Sequence, residues 1–208
     1  MQLSRPLPTT KFEGMSDVPS GNALEFWQWA YGDLLDDDVK GAFAEWLVHK
    51  LLGVVTPRRV SWANSDVITP EGVRIEVKST AVWQSWKLLD ESGMPEPTPK
   101  HPAVQDDRRI RFSGLKARDS TAVPDSAKPK AFKSDLYVFA FQKNSDPTTW
   151  NAFDLTQWEF FVVPTAKLAE LGWESISLAT LRGKFTRLSA AELTVQGREA
   201  IQSVARRG

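Results

Sequence analysis

The stretch "SDVITPEGVRIEVKSTAVWQSW", residues 65–86, predicts a β-hairpin, because two runs rich in β-branched residues flank the turn signal "PEG". Side chains two positions apart on a strand point to the same face, so Glu76 and Lys78 should lie side by side. Asp66 lies on the run before the turn. A strand that should be half buried therefore presents a carboxylate and an ammonium together, with a second carboxylate close by.

The clearest helix signal precedes the hairpin, in "DDDVKGAFAEWLVHKLLG", residues 36–53. Acidic residues at its start suit the helix dipole, and Gly53 is placed as a C-terminal stop. Glu45 and His49, four residues apart, should lie together at the border of the apolar stripe. That stripe consists of Phe43, Leu47, Leu51 and Val54.

The rest of the chain alternates between strand and helix signals. Strands are predicted for "RRVSWA" (58–63), "SDLYVFAFQ" (134–142) and "WEFFVVP" (158–164), with "RRIRFSGL" (108–115) strand-like. Helices are predicted for "NALEFWQWAYGDLLDDD", broken near Gly32, and for "PTAKLAELG", "SLATLRGKF" and "SAAELTVQGREAIQSVARR". Helix first, then a strand cluster, then strand–helix alternation predicts a mixed α/β or α+β protein.

The 208 residues suit one domain with elaborations. Residues 1–32 should form an N-terminal arm and short helix, and residues 33–181 the core. Within the core, about 87–134 reads as a long, Pro-rich, basic insertion. Residues 182–208 should be a basic, helical C-terminal extension.

Composition excludes several function classes. Without cysteine there is no disulfide, thiolate nucleophile or zinc–sulfur site, which predicts a cytoplasmic protein. Two histidines leave little for a histidine-rich metal site, so oxygen ligands and a magnesium, manganese or calcium ion are expected. No apolar run approaches the roughly 20 residues of a membrane span. For that reason no membrane partner is predicted. No Gly-rich loop precedes a Lys-Ser/Thr pair, so no nucleotide cofactor is predicted either.

Charge is balanced overall but unevenly distributed. Residues 100–134 contain nine bases against four acids. Such an element could lie along the phosphates of a nucleic acid, although a loop of solvated charges has the same pattern. The predicted nucleic-acid-binding residues are Arg108, Arg109, Arg111, Lys116 and Arg118.

The hairpin itself could support metal chemistry. Magnesium keeps several waters and takes one or two protein carboxylates, so Asp66 and Glu76 would be enough. Such an ion lowers the pKa of a bound water and stabilises charge on a phosphodiester. Lys78 could then deprotonate or position that water, or neutralise the developing charge, and the sequence leaves both roles open.

On the hairpin, Asp66 is followed after a nine-residue gap by Glu76-Val77-Lys78 on a strand. This pattern resembles the core of the PD-(D/E)XK nucleases, the restriction-endonuclease-like superfamily. Ser65 stands where the proline of that motif would be. The resemblance covers roughly residues 37–90, with strands 135–142 and 158–163 completing the sheet. It implies a restriction-endonuclease-like core in which helices flank a central mixed β-sheet.

The resemblance also implies a role for each matching residue. Asp66 and Glu76 would be metal ligands, and Lys78 the catalytic lysine. Glu45, from the helix before the hairpin, would be an accessory ligand, direct or through water. Gln84, in the segment after the lysine strand, would orient the site.

The function implied is that of a Mg²⁺-dependent endonuclease acting on DNA, with Mn²⁺ able to substitute, in restriction, phage defence or DNA repair. The superfamily also suggests a homodimer. One alternative is a catalytically inactive nucleic-acid-binding or scaffold protein of the same fold, and another is an RNA-processing nuclease. The simplest alternative for the motif is a solvated strand face with a Glu–Lys pair.

Four neighbouring residues are interpreted as structural. His49 is expected to be a polar residue on the helix border. Trp83 and Trp86 are expected in the core or a pocket wall, although bases could stack on them. Asp135 is expected to start a strand rather than to bind a metal.

Overall fold

The hairpin predicted from the sequence is present in the structure, a computed structural model that describes residues 7–11, 21–55, 59, 63–83, 106–117 and 129–207. Strand β1 (Val67–Ile68) pairs antiparallel with β2 (Arg74–Ala81), with Val67 opposite Ile75. Gly72 adopts a φ of 83° in the turn, a conformation that glycine reaches without steric cost. The turn chemistry therefore fixes which residues of β2 face each side.

Two further strands extend the hairpin into a four-stranded mixed sheet. Strand β4 (Leu136–Gln142) lies parallel to β2, and β5 (Trp158–Pro164) lies antiparallel to β4. All seven residues of β4 are buried, as its continuous apolar run predicts for a strand covered on both faces. The predicted strands at 134–142 and 158–164 are thus confirmed.

The described residues contain five helices: α1 (Ala23–Tyr31), α2 (Asp37–Leu52), α3 (Thr165–Leu171), α4 (Leu178–Lys184) and α5 (Ala190–Ala205). Their ends follow local chemistry. Asp36 caps α2, whose C-terminus stops at Gly53 with a φ of 70°, and Ser189 with Glu192 forms a capping box on α5. None of these helices combines the length and hydropathy needed to cross a membrane.

The sheet separates two apolar cores. On one face, α2 and α5 pack against Ile75 and Val77 of β2 and the same face of β4. On the other face, α3 and α4 pack together with a small sheet in which β3 (Arg111–Phe112) pairs antiparallel with β6 (Ile176–Ser177). The architecture is therefore mixed α/β, with a central mixed sheet flanked by helices.

Some sequence expectations need adjustment. The fully buried stripe of α2 is Ala44, Leu47, Val48 and Leu52, whereas Phe43, Leu51 and Val54 are only partly buried. The strand-like run at 108–115 yields only the two residues of β3. The strand predicted at 58–63 lies outside the described residues, apart from Arg59 and Ala63.

Candidate functional site

Glu76 and Lys78 lie side by side on one face of β2, as the strand periodicity predicts. The Lys78 Nζ is 2.7 Å from Oε1 of Glu76, and the two side chains are 24% and 19% exposed respectively. Their register partners on β4 are Phe139 for Lys78 and Tyr137 for Glu76. An ion pair thus lies at the margin of an apolar face, partly removed from water.

Asp66 is fixed beside β2 by its main chain and its side chain. Its backbone N–H donates to the Ile75 carbonyl at 3.1 Å, and its Oδ2 accepts from the Val77 N–H at 2.8 Å. Val77 is the residue between Glu76 and Lys78, so the Asp66 carboxylate is held against the E-x-K run. The structure therefore brings Asp66, Glu76 and Lys78 together.

His49 connects helix α2 to this site. Its Nε2 lies 3.2 Å from the carbonyl oxygen of Asp66. The residue is half buried, in agreement with its predicted place on the helix border. It also contacts the main chain of a candidate ligand, as its position one turn from Glu45 allowed.

The surroundings of Asp66 raise the pKa of its carboxyl to about 7. Burial is the largest cause, followed by the negative charges of Glu76 and Glu45, while the Val77 N–H and the Lys78 ammonium act in the opposite direction. Three acidic side chains therefore share one electrostatic neighbourhood with two cations, Lys78 beside Glu76 and Arg59 beside Glu45.

Glu45 projects from α2 but is held by an arginine. Its carboxylate accepts from Nε of Arg59 at 2.5 Å and from Nη2 at 2.8 Å. This bidentate geometry is the strongest that Arg and a carboxylate form. Glu45 acts on Asp66 through its charge, and Arg59 is its direct partner.

Asp66 and Glu76 are the two carboxylates beside Lys78 that could hold a metal ion. Among the described residues, no group of three or more His, Cys, Asp or Glu side chains is arranged to hold a metal ion. Magnesium typically binds one or two protein carboxylates and completes its coordination shell with waters. Asp66 and Glu76 would supply those carboxylates. Glu45 would reach such an ion only after leaving Arg59, or through a water.

A loop of the basic insertion packs against Lys78. Gly114 adopts a φ of 67°, and a Cβ placed on it would lie 3.8 Å from the Lys78 Nζ. The Tyr137 hydroxyl donates to the neighbouring Leu115 carbonyl at 2.6 Å. Burial, and then the charge of Glu76, raise the pKa of Tyr137, so it remains a neutral donor. Sequence reasoning missed both Gly114 and Tyr137, although a tyrosine hydroxyl within a run of apolar residues was a usable signal.

Three of the five predicted nucleic-acid-binding residues, Arg108, Arg111 and Lys116, have separate local partners. Arg108 pairs with Asp106 at 3.2 Å, and Arg109 is exposed. Arg111 donates from Nη2 to Oγ of Ser175 at 2.7 Å. Lys116 donates to the Gly172 carbonyl at 3.1 Å and lies over the Phe132 ring. Arg118 and the predicted site residue Gln84 lie outside the described residues, as does Trp86.

Two residues interpreted as structural have that role. Trp83 is buried and donates from Nε1 to the Ser145 carbonyl at 2.9 Å. Asp135 pairs with Arg74 through both carboxylate oxygens, at 2.8 and 3.1 Å, and this pairing lowers the pKa of its carboxyl. It therefore joins β2 to the start of β4 and is not part of the acidic cluster.

The chain matches no protein-family model and no curated protein. The site is consequently described by its own chemistry. It contains the half-buried carboxylates of Asp66 and Glu76, and Lys78 lies next to Glu76 and to the loop at Gly114. A third acid nearby is held by an arginine. Inference about function depends on what this arrangement can bind and stabilise.

Proposed function

We propose that the protein is a Mg²⁺-dependent nuclease of the restriction-endonuclease-like fold that hydrolyses phosphodiester bonds of DNA. The observation that carries the proposal is the joint placement of Asp66, Glu76 and Lys78 on one hairpin. Burial, and then the negative charges of Glu76 and Glu45, raise the pKa of Asp66 to about 7, and these two charges would also attract a cation.

A bound magnesium would activate a water and neutralise charge on the scissile phosphate. Asp66 and Glu76 would hold it, and its charge would favour the ionised form of both carboxylates. Lys78, positioned by its ion pair with Glu76, offers a cation to the phosphate as negative charge develops there. This role as electrostatic stabiliser is the one that the ion pair favours over proton abstraction.

The fold supports the same proposal. The E-x-K strand lies inside a mixed sheet, and the helix that carries Glu45 packs on one face of that strand. As the resemblance suggests, we place the activity in restriction, phage defence or DNA repair, with endonucleolytic cutting and a homodimer. Manganese, which accepts the same oxygen donors, should replace magnesium.

The test is cleavage of supercoiled and linear DNA by the purified protein with Mg²⁺, with Mn²⁺ and with EDTA. We expect cleavage only with a divalent ion, and a loss of at least about 100-fold in Glu76→Gln and Lys78→Met. Glu71→Gln and Lys167→Met are the matched controls, since both side chains are exposed and lie outside the site. Circular dichroism must show that all four variants fold.

One observation favours the inactive alternative. Arg59 holds Glu45 with two hydrogen bonds, and within the described ranges no third acid joins Asp66 and Glu76. If the wild-type protein binds DNA but does not cut it in the presence of any divalent ion, it is a nucleic-acid-binding or scaffold protein. Cleavage of RNA but not of DNA in the same assay would instead identify an RNA-processing nuclease.

A further inference from the structure

A second concave site lies beside β3 and β6, on the outer side of the small sheet. It is a pocket of about 350 Å³, within the range of small-ligand sites. Its lining consists of Arg111, Trp173, Glu174, Ser175, Ser177 and Thr180. None of these residues belongs to the acidic cluster at Lys78.

The lining combines a flat aromatic surface with a cation and hydroxyl groups. The Trp173 side chain is 44% exposed, although indoles are usually well buried. The Arg111 guanidinium is oriented by Oγ of Ser175 at 2.7 Å. Ser177 and Thr180 hydroxyls lie 2.9 Å apart and are half buried or buried. Glu174, the one acid in the lining, is 3.3 Å from the Lys130 ammonium, which offsets its charge.

The pocket lies close to the candidate active site along the chain. Arg111 and Gly114 are three residues apart, so their Cα atoms are separated by at most about 11 Å. Gly114 contacts the region of the Lys78 ammonium. Phosphates of one DNA strand follow each other about every 3.4 Å of helix rise, so a strand crossing Lys78 reaches Arg111 within a few nucleotides.

We propose that this pocket binds one unstacked nucleotide of a single strand, with its base on Trp173 and its phosphate at Arg111. The inference deepens the proposed function, on which it rests, by naming single-stranded or locally unpaired DNA as the preferred substrate. An aromatic side chain can stack on any base. In an intact duplex, however, a base becomes available for such stacking only after it has been flipped out of the helix. The pocket hydroxyls and Glu174 can then hydrogen-bond the base edge.

The experiment measures binding without cleavage. Fluorescence anisotropy in EDTA compares a labelled single-stranded oligonucleotide with the same sequence as a blunt duplex. Trp173→Ala should weaken single-strand binding by about 5- to 150-fold, and Trp173→Phe should restore most of it. Duplex binding should change less than about twofold. Arg111→Gln should reduce the salt dependence of binding by about one counterion.

Trp29→Ala is the matched control, because Trp29 is a tryptophan 85% exposed on α1 and outside the pocket. Equal effects of Trp29→Ala and Trp173→Ala, or no single-strand binding by the wild type, would overturn the pocket assignment. Failure of the two proposals is distinguishable. If Trp173→Ala cuts single-stranded DNA as fast as the wild type, the pocket assignment alone is contradicted. Selective single-strand binding by a wild type that cuts no DNA supports the pocket and contradicts the nuclease.

Discussion

Asp66 is the residue through which the protonation state of the site is coupled to stability. Its carboxylate accepts the Val77 N–H and lies in the field of two other acids. Without a cation, the ionised form is unfavourable in the folded protein. A carboxyl of this kind gives the folded protein a pH dependence opposite to that of a salt-bridged acid.

The first prediction concerns this pH dependence. The folded protein holds the Asp66 proton up to about pH 7, whereas the carboxyl ordinarily titrates near 3.8. The free energy of unfolding should therefore fall as pH rises between these values, by at most about 1.4 kcal/mol per pH unit. Asp66→Asn, which keeps an oxygen for the Val77 N–H, should remove this slope. Urea denaturation in EDTA from pH 4 to pH 8 measures it.

Asp135→Asn is the control of opposite sign. Its pKa is lowered by Arg74, so its ionised form stabilises the folded protein above the ordinary pKa and this contribution is lost at acid pH. Asp135→Asn should therefore be less stable than the wild type at pH 7. Addition of Mg²⁺ at pH 7 should stabilise the wild type and Asp135→Asn but not Asp66→Asn. Identical slopes in wild type and Asp66→Asn would contradict the role assigned to Asp66.

Residues 106–117 form a wall of the site that is anchored near both of its ends, in addition to the pairing of β3 with β6. At the start, Asp107 pairs with Arg182 of α4 at 2.6 Å, and Arg182 also forms two hydrogen bonds with Glu159 of β5, which is 2% exposed. At the other end, Tyr137 of β4 binds the Leu115 carbonyl. The segment between these anchors is held next to Lys78, so the lysine and the pocket keep a fixed spacing.

The second prediction tests this wall through Gly114→Ala. The left-handed conformation at Gly114 costs an alanine about 1–2 kcal/mol, and the shift that relieves it moves backbone beside the Lys78 ammonium. We expect a matching loss of stability and a fall in cleavage of about 10- to 100-fold, because small displacements of catalytic groups are costly. Denaturation and the plasmid assay measure the two effects.

Gly72→Ala is the matched control for backbone cost. Gly72 also has a positive φ, 83°, but a Cβ there meets no atom within 4 Å. It should lose similar stability and keep cleavage at a level close to that of the wild type. Equal losses of cleavage in the two variants would show that Gly114 acts only through stability.

In the described residues the central sheet is packed on both faces, and helix α5 belongs to the layer on the same face as α2. Leu193 and Ile201 of α5 are buried in the core that includes α2. The helices approach closely, since a Cβ on Gly197 would lie 2.4 Å from Cδ2 of Leu52. Arg198 donates to the Leu52 carbonyl at 3.2 Å, which satisfies an orphan group at the end of α2. Because α2 carries Glu45 and His49, α5 supports the site from behind.

The third prediction is that the C-terminal helix is required for the fold. Leu193→Ala should reduce the free energy of unfolding by about 2–5 kcal/mol, since it removes a fully buried side chain from the core. Val195→Ala, on the same helix and 59% exposed, should change it by less than about 0.5 kcal/mol. Urea denaturation of both variants decides this, and equal small effects would make α5 a dispensable extension.

Much of the local structure follows from the sequence alone. The hairpin turn, the cap at Asp36, the stops at Gly53 and Gly172, and the buried strand β4 are all encoded by residues close together in the chain. The common face of Glu76 and Lys78 follows from strand periodicity, and the structure confirms it through their ion pair. Short-range rules suffice there because the interacting atoms belong to one element.

Only the tertiary structure decides the rest. The pairing of Glu45 with Arg59, the contact of His49 with Asp66 and the placement of Gly114 beside Lys78 join residues 14 to 36 positions apart. The pocket joins Arg111 to Ser175, 64 positions away. Sequence patterns report the environment of a segment, but not which distant segment packs against it, since that depends on how the sheet and its two covers fit together. The sequence determined the carboxylates and the lysine, and packing determined the partners that set their charge.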